Sequence, residues 1–238
     1  ELPVRAYTSN NIRKIVVLCH GGKGKTTLCE AMLYIAGASD RLGRVADGNT
    51  VLDFDSEEKR RKSSVSSAIA ALEWDNTKLN IIDAPGLFDF EGGAAEAVRA
   101  AEAVLIVTSA GSGVDVGTEK AFRAAEKKGA AKFFAVTKTD SDHRNFYKTF
   151  DALKEVYGNK LCPTIIPYME GNITKCYVNL MTGMAFSYDE NGKATKVPVP
   201  EDSVIEEMTS AFMEAVATTD DALMEKFFEG EKFTKEEI

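Results

Sequence analysis

The sequence predicts a doubly wound α/β domain with a mostly parallel sheet, followed by a small α+β lobe. Three observations carry this. Short runs that are apolar throughout recur between helical stretches, the pattern of strands covered on both faces. The first of them, 15–18, leads at once into Gly21-Gly22-Lys23-Gly24 and then a helix, a strand–loop–helix opening. After Pro163 the runs shorten, and Asn191-Gly192 marks a tight hairpin between the last two.

Each element follows in order. Residues 25–36 read as a helix because Leu28, Ala31, Met32 and Ile35 recur at the helical interval and Gly37 stands where a helix stops. Residues 37–63 are polar without a clean period and read as a long loop, and loops of that length are functional or disordered. Residues 65–72 and 79–82 read as a hairpin turning at Asp75-Asn76. The alternation then becomes regular: helix 94–101, strand 104–107, helix 117–128, strand 133–136, helix 145–157. In the lobe, 176–180, 184–188 and 194–199 read as strands. Val204, Met208, Ala211, Phe212, Ala215 and Val216 form one helical stripe, and an acidic amphipathic piece starts at Asp221. These elements place a first domain at 1–168 and the lobe at 169–238.

Composition excludes several classes. The 238 residues carry 29 Lys+Arg against 37 Asp+Glu, a net charge of −8, which rules out a chain-wide basic surface and with it DNA as a partner. The longest uncharged apolar stretches, such as 103–110, are far short of the roughly 20 residues that cross a bilayer, so no membrane is expected. The opening Glu-Leu-Pro lacks both a starting Met and the pattern of a signal peptide, which reads as a trimmed chain. Cys19, Cys29, Cys162 and Cys176 show no C-x-x-C spacing, and His20 and His143 stand apart from them. A reducing, cytoplasmic setting without a zinc site is expected.

Three segments carry candidate chemistry, each directly after an apolar strand. The run 19–26, Cys-His-Gly-Gly-Lys-Gly-Lys-Thr, matches the phosphate loop G-x-x-x-x-G-K-[ST] except that Cys19 replaces the first glycine. Glycines let consecutive N–H groups wrap a phosphate at a helix N-terminus. Residues Gly21, Gly22, Lys23, Gly24, Lys25, Thr26 and Thr27 are therefore the candidate phosphate binders. Lys25 reaches the β and γ phosphates and the Thr26 hydroxyl ligates Mg²⁺. In Asp83-Ala84-Pro85-Gly86, a strand-end carboxylate would face that metal and Gly86 would offer its N–H to the γ-phosphate. In Thr137-Lys138-Thr139-Asp140, the Asp140 carboxylate can accept from the N1 and amino hydrogens of guanine, which adenine cannot supply, while Lys138 lays its stem along the base. Taken singly, each segment could be a ligand-free glycine turn or a solvated polar turn. Their order and spacing fit a guanine-nucleotide domain, since ligands of open parallel sheets sit at such strand ends.

The stretches 31–34 (Ala-Met-Leu-Tyr), 40–45 (Asp-Arg-Leu-Gly-Arg-Val) and 72–74 (Leu-Glu-Trp) resemble the GTPase domain of bacterial elongation factor G, most strongly its elongation factor G-like paralogues. The likeness covers the whole chain, and the lobe, with Pro200-Glu201-Asp202 and 219–226, looks like the insertion these factors carry. The resemblance implies GTP/GDP and Mg²⁺ as ligands, GTP hydrolysis in translation elongation, action on the ribosome through its RNA and stalk protein, and a monomer. It places Ser64 at the switch position that binds Mg²⁺ and the γ-phosphate, making Thr26, Ser64 and Asp83 the metal set, and it places Lys25, Thr26 and Gly86 at the catalytic centre. It also exposes departures: Cys19, Ala84 for threonine, Thr137 for asparagine, and Leu87 where the family orients the attacking water with histidine or tyrosine. A hydrocarbon cannot do that, so impaired hydrolysis is expected. The alternative is a non-hydrolysing or empty scaffold that acts by partner binding. The family's Ser-Ala guanine-contacting loop and later ribosome-contacting domains would follow the insertion, so the chain reads as a fragment. His20 reads as structural, His143 as solvated, and the basic run 59–62 as a solvated switch segment or a contact with ribosomal RNA.

Overall fold

The structure, a computed structural model, describes residues 6–86, 91–139, 145–158, 161–171, 173–189 and 192–238. The chain divides into two compact units, Glu1–Lys138 and Thr139–Ile238.

The first unit holds strands β1 (Ile12–Leu18), β2 (Ala68–Trp74), β3 (Thr77–Asp83), β4 (Ala103–Ser109) and β5 (Ala131–Thr137), with helices α1 (Lys25–Ile35), α2 (Ser56–Arg61), α3 (Glu91–Ala100) and α4 (Val116–Lys128). The strand order is β2-β3-β1-β4-β5. All neighbours are parallel except the β2–β3 hairpin, whose turn residues Asp75 and Asn76 have φ of 44° and 61°, the left-handed pair that suits strand twist. Successive residues of β1 feed opposite cores, as expected of a sheet covered on both faces. Val16 and Leu18 meet Val98 of α3 and Ala121 of α4, whereas Val17 joins Cys29 and Leu33 of α1. In register, Val17 lies beside Asp83 and Leu105, and Ser109 beside Thr137. The strands therefore end together, and the three candidate segments leave from one edge of the sheet.

The stretch expected to be a long loop, 37–63, is partly ordered. It contains a 3-10 turn at Val45–Asp47 and α2, which has no apolar stripe and is held by a capping box between Asp55 and Glu58. Periodicity cannot reveal such a helix. The following strand begins at Ala68 rather than 65.

The second unit holds α5 (Phe146–Tyr157), β6 (Ile165–Glu170), β7 (Ile173–Asn179), β8 (Met184–Tyr188), β9 (Ala194–Val197), α6 (Ser203–Ala217) and α7 (Asp221–Glu229). Its sheet runs β6-β7-β8-β9, all antiparallel. Strand β6 has no counterpart among the expected elements, and it straddles 168/169 while pairing with β7. The stripe on α6 is rotated by one residue at its start. Ile205 is buried and Val204 exposed, because Asp202 caps the helix by accepting from Val204 N at 2.9 Å. Ile205 and Phe212 then cover Ile166 and Val178 of the sheet. Asn191 lies outside the described residues. Gly192 has φ of 77° in the β8–β9 connection. Among the described residues, no helix is long and apolar enough to cross a membrane, and all four cysteines carry free thiols.

Candidate nucleotide-binding site

At the C-terminal ends of β1 and β3 the first unit opens a cleft of about 260 Å³, lined by residues 21–27 together with Asp53, Ser64, Gly86 and Lys138. Gly24 caps α1 in the left-handed region, φ 89°, so the helix starts at Lys25 with its N-terminus at the cleft. The Lys25 ammonium, almost wholly buried, forms an ion pair with Asp83 Oδ1. The other Asp83 oxygen accepts from Thr26 Oγ1 at 2.8 Å. Thr26 Oγ1 also lies 3.2 Å from Ser64 Oγ, and Ser64 donates to Asp53 Oδ1 at 2.7 Å. One buried chain of polar groups thus joins the phosphate loop, the end of β3 and the segment after α2.

Asp53 carries no signal in the sequence, where it is one acid among several in a polar stretch. It is 3% exposed, and its Oδ2 has no partner. Burial pushes its pKa above the usual carboxylate range, against the pull of the Ser64 hydroxyl. Two carboxylates, one of them with an unpartnered oxygen, and two hydroxyls form a hard-oxygen donor set, which suits Mg²⁺ shared with phosphate.

The segment 37–66 is seated by two further acids invisible to pattern reading. Glu30 of α1 is fully buried, and its Oε1 accepts from the N–H groups of Val51 and Leu52 at 2.8 and 3.0 Å. Glu58 of α2 accepts from Val65 N at 2.9 Å and Ser66 N at 3.1 Å. The basic run is partly neutralised, since Arg60 and Arg61 both pair with Glu57.

The departures have physical addresses. Cys19 is buried and belongs to the core beneath α1, and burial pushes its thiol up to about 11 against the pull of the Lys25 cation. Gly86 approaches the phosphate loop closely: Gly21 N donates to Gly86 O at 3.1 Å, and a Cβ at 86 would lie 2.9 Å from Cys19 O. Ala84 is fully buried in the opposite core, where its methyl packs. Thr137 Oγ1 donates to the Lys23 carbonyl at 2.7 Å. Lys138, with φ of 57°, donates from Nζ to the Gly22 carbonyl at 2.7 Å. His20 sits against α4, where a Cβ at Gly117 would come within 2.7 Å of the His20 Cβ. Leu87, Asp140 and His143 lie outside the described residues.

Comparison with known proteins agrees with this geometry. The model of the elongation factor Tu GTP-binding domain matches residues 10–231. An elongation factor G-like protein of Mycobacterium tuberculosis is 33% identical over 223 residues, 92% of this chain and 30% of that protein, in both strain CDC 1551 and strain H37Rv. A crystal structure of a protein from Thermus thermophilus superposes with a TM-score of 0.87 at 36% identity, covering 95% of this chain and 34% of its own. The chain thus spans about a third of the length of these relatives. With a phosphate loop at the end of β1, an acid at the end of β3 and these relatives on both counts, the chain belongs to the elongation factor Tu GTP-binding domain family and is a GTP-binding, elongation factor-like domain.

Proposed function

We propose that this chain binds GTP and GDP together with Mg²⁺, and that in its parent protein it serves a cytoplasmic elongation factor G-like factor acting on the ribosome. The observation that carries this is the meeting of Lys25, Thr26, Ser64 and Asp83 behind a glycine loop. Residues 21–27 wrap the phosphates, and Lys25 neutralises the β and γ oxygens once it leaves Asp83. Thr26, Ser64 and Asp83 would hold the metal, which would supply neutralisation of phosphate charge. Gly86 offers its N–H to the γ-phosphate. Thr137 and Lys138 hold the loop's outer carbonyls, and Lys138 with Asp140 selects guanine.

Hydrolysis in this reading is attack of water on the γ-phosphate. Leu87 can neither donate to nor accept from that water, and a positioned proton-handling group contributes about 10²–10⁴ in rate. The chain therefore turns GTP over slowly. Leu87 equally favours a second reading, a nucleotide-binding module that acts by occupying its partner rather than by cycling.

Equilibrium binding of a fluorescent GDP analogue with Mg²⁺, competed by GTP and by ATP, tests the assignment. Displacement by GTP alone is expected, with weaker affinity and relaxed base preference in Asp140→Asn. Equal displacement by ATP overturns the guanine assignment, and absence of saturable binding overturns nucleotide binding.

A further inference from the structure

Between His20 and Lys25 the phosphate loop has a single side chain, that of Lys23. Its neighbours Gly22 and Gly24 both lie in the left-handed region, at φ 79° and 89°. Two flanking glycines of this kind are two hinges, and Lys23 is the handle between them. That handle is tied down. Lys23 Nζ lies 3.1 Å from Asp115 Oδ2, with both side chains mostly shielded from solvent. Asp115 is itself fixed, because it is the N-cap of α4 and its Oδ1 accepts from Thr118 N at 2.8 Å and Thr118 Oγ1 at 3.0 Å. The Lys23 main chain is held separately by Thr137 on its carbonyl.

We propose that Lys23 and Asp115 form a charge clasp that pins the phosphate loop to the N-terminus of α4 and holds it in its phosphate-binding shape. Lys23 is thereby a positioning residue, acting through the loop rather than on the phosphates. Asp115 is held below the usual carboxylate range although burial alone would raise it, since the Thr118 N–H and the Lys23 cation outweigh burial. A loop pinned before the ligand arrives does not lose that freedom on binding. The inference rests on the nucleotide-binding reading above.

The test is a double-mutant cycle with Lys23→Met, which keeps the stem and removes the charge, and Asp115→Asn, which removes the charge and keeps an N-capping carbonyl. Nucleotide dissociation should accelerate about two- to fivefold in each single variant, the range expected for a partly shielded ion pair, and no further in the double variant. Additive effects overturn the clasp, as does a silent Asp115→Asn beside an impaired Lys23→Met, which would put Lys23 directly on phosphate. Amide hydrogen exchange over residues 19–26 of the nucleotide-free chain keeps the two readings separable. Faster exchange in both variants supports the clasp even if wild type binds no nucleotide, and unchanged exchange in both overturns it.

Discussion

Lys25 and Asp83 neutralise each other inside the protein, which makes each depend on the other before any ligand is present. Removing one partner of a buried pair leaves an uncompensated charge and typically costs 3–5 kcal/mol, whereas replacing both can be nearly neutral. Lys25→Met is expected to lower stability by about 3 kcal/mol in nucleotide-free urea unfolding, and Lys25→Met/Asp83→Asn should recover most of it. Equal loss in the double variant would show that the pair is not the cause. At this scale Gly24, Lys25, Thr26 and Asp83 were legible because chemistry demands them at fixed spacing, and Ser64 through the family resemblance; all five lie at the cleft or directly behind it. Asp53 and Asp115 were not legible. Each owes its role to a partner far along the chain, Ser64 eleven residues away for Asp53 and Lys23 for Asp115, and no local spacing encodes that.

The elements divide by what holds them. The strands other than β6, together with α1, α4 and α6, bury apolar faces, so apolar runs and helical periodicity located them to within a few residues, the start of the α6 stripe excepted. Helix α2 and the segment around it are held by carboxylates that accept backbone N–H bonds and so left no periodic trace, whereas β6 buries Ile166 against α6 but offers only a short apolar run broken by Pro167. Gly43 reports how tightly that segment is seated. A Cβ there would stand directly against Glu30 Oε2 and 2.8 Å from Thr50 Cα, a backbone neighbour that cannot rotate away. Gly43→Ala is expected to destabilise the chain by about 1–3 kcal/mol, the usual cost of overpacking. Chemical denaturation checks it, and unchanged stability would mean that the segment is not seated on Glu30.

For the whole molecule, fold class follows from the order of apolar runs and the three strand-end segments, the family from the resemblance of 31–34, 40–45 and 72–74, and the comparisons bear both out. The expected boundary at 168/169 falls inside β6, whose hydrogen bonds belong to the sheet of the second unit. Ribosome-stimulated phosphate release from a full-length protein carrying this chain should be slow, and Leu87→His should raise it by about 10²–10⁴ if the water-orienting group is all that is missing. Stimulated turnover that is already fast in wild type would remove the role assigned to Leu87.

The acid-seated segment has a thermal consequence. Of the apolar residues between Gly43 and Ser66, only Leu52 is buried, Val45 and Val65 are half-buried, and Ala46, Val51 and Phe54 face solvent. Lifting that segment from Glu30 and Glu58 would break hydrogen bonds and uncover little hydrocarbon, so the opening carries a small heat-capacity change and a small denaturant dependence. The van't Hoff plot of its closing would then run nearly straight, on a sheet whose own stability curve bends with the apolar surface it buries.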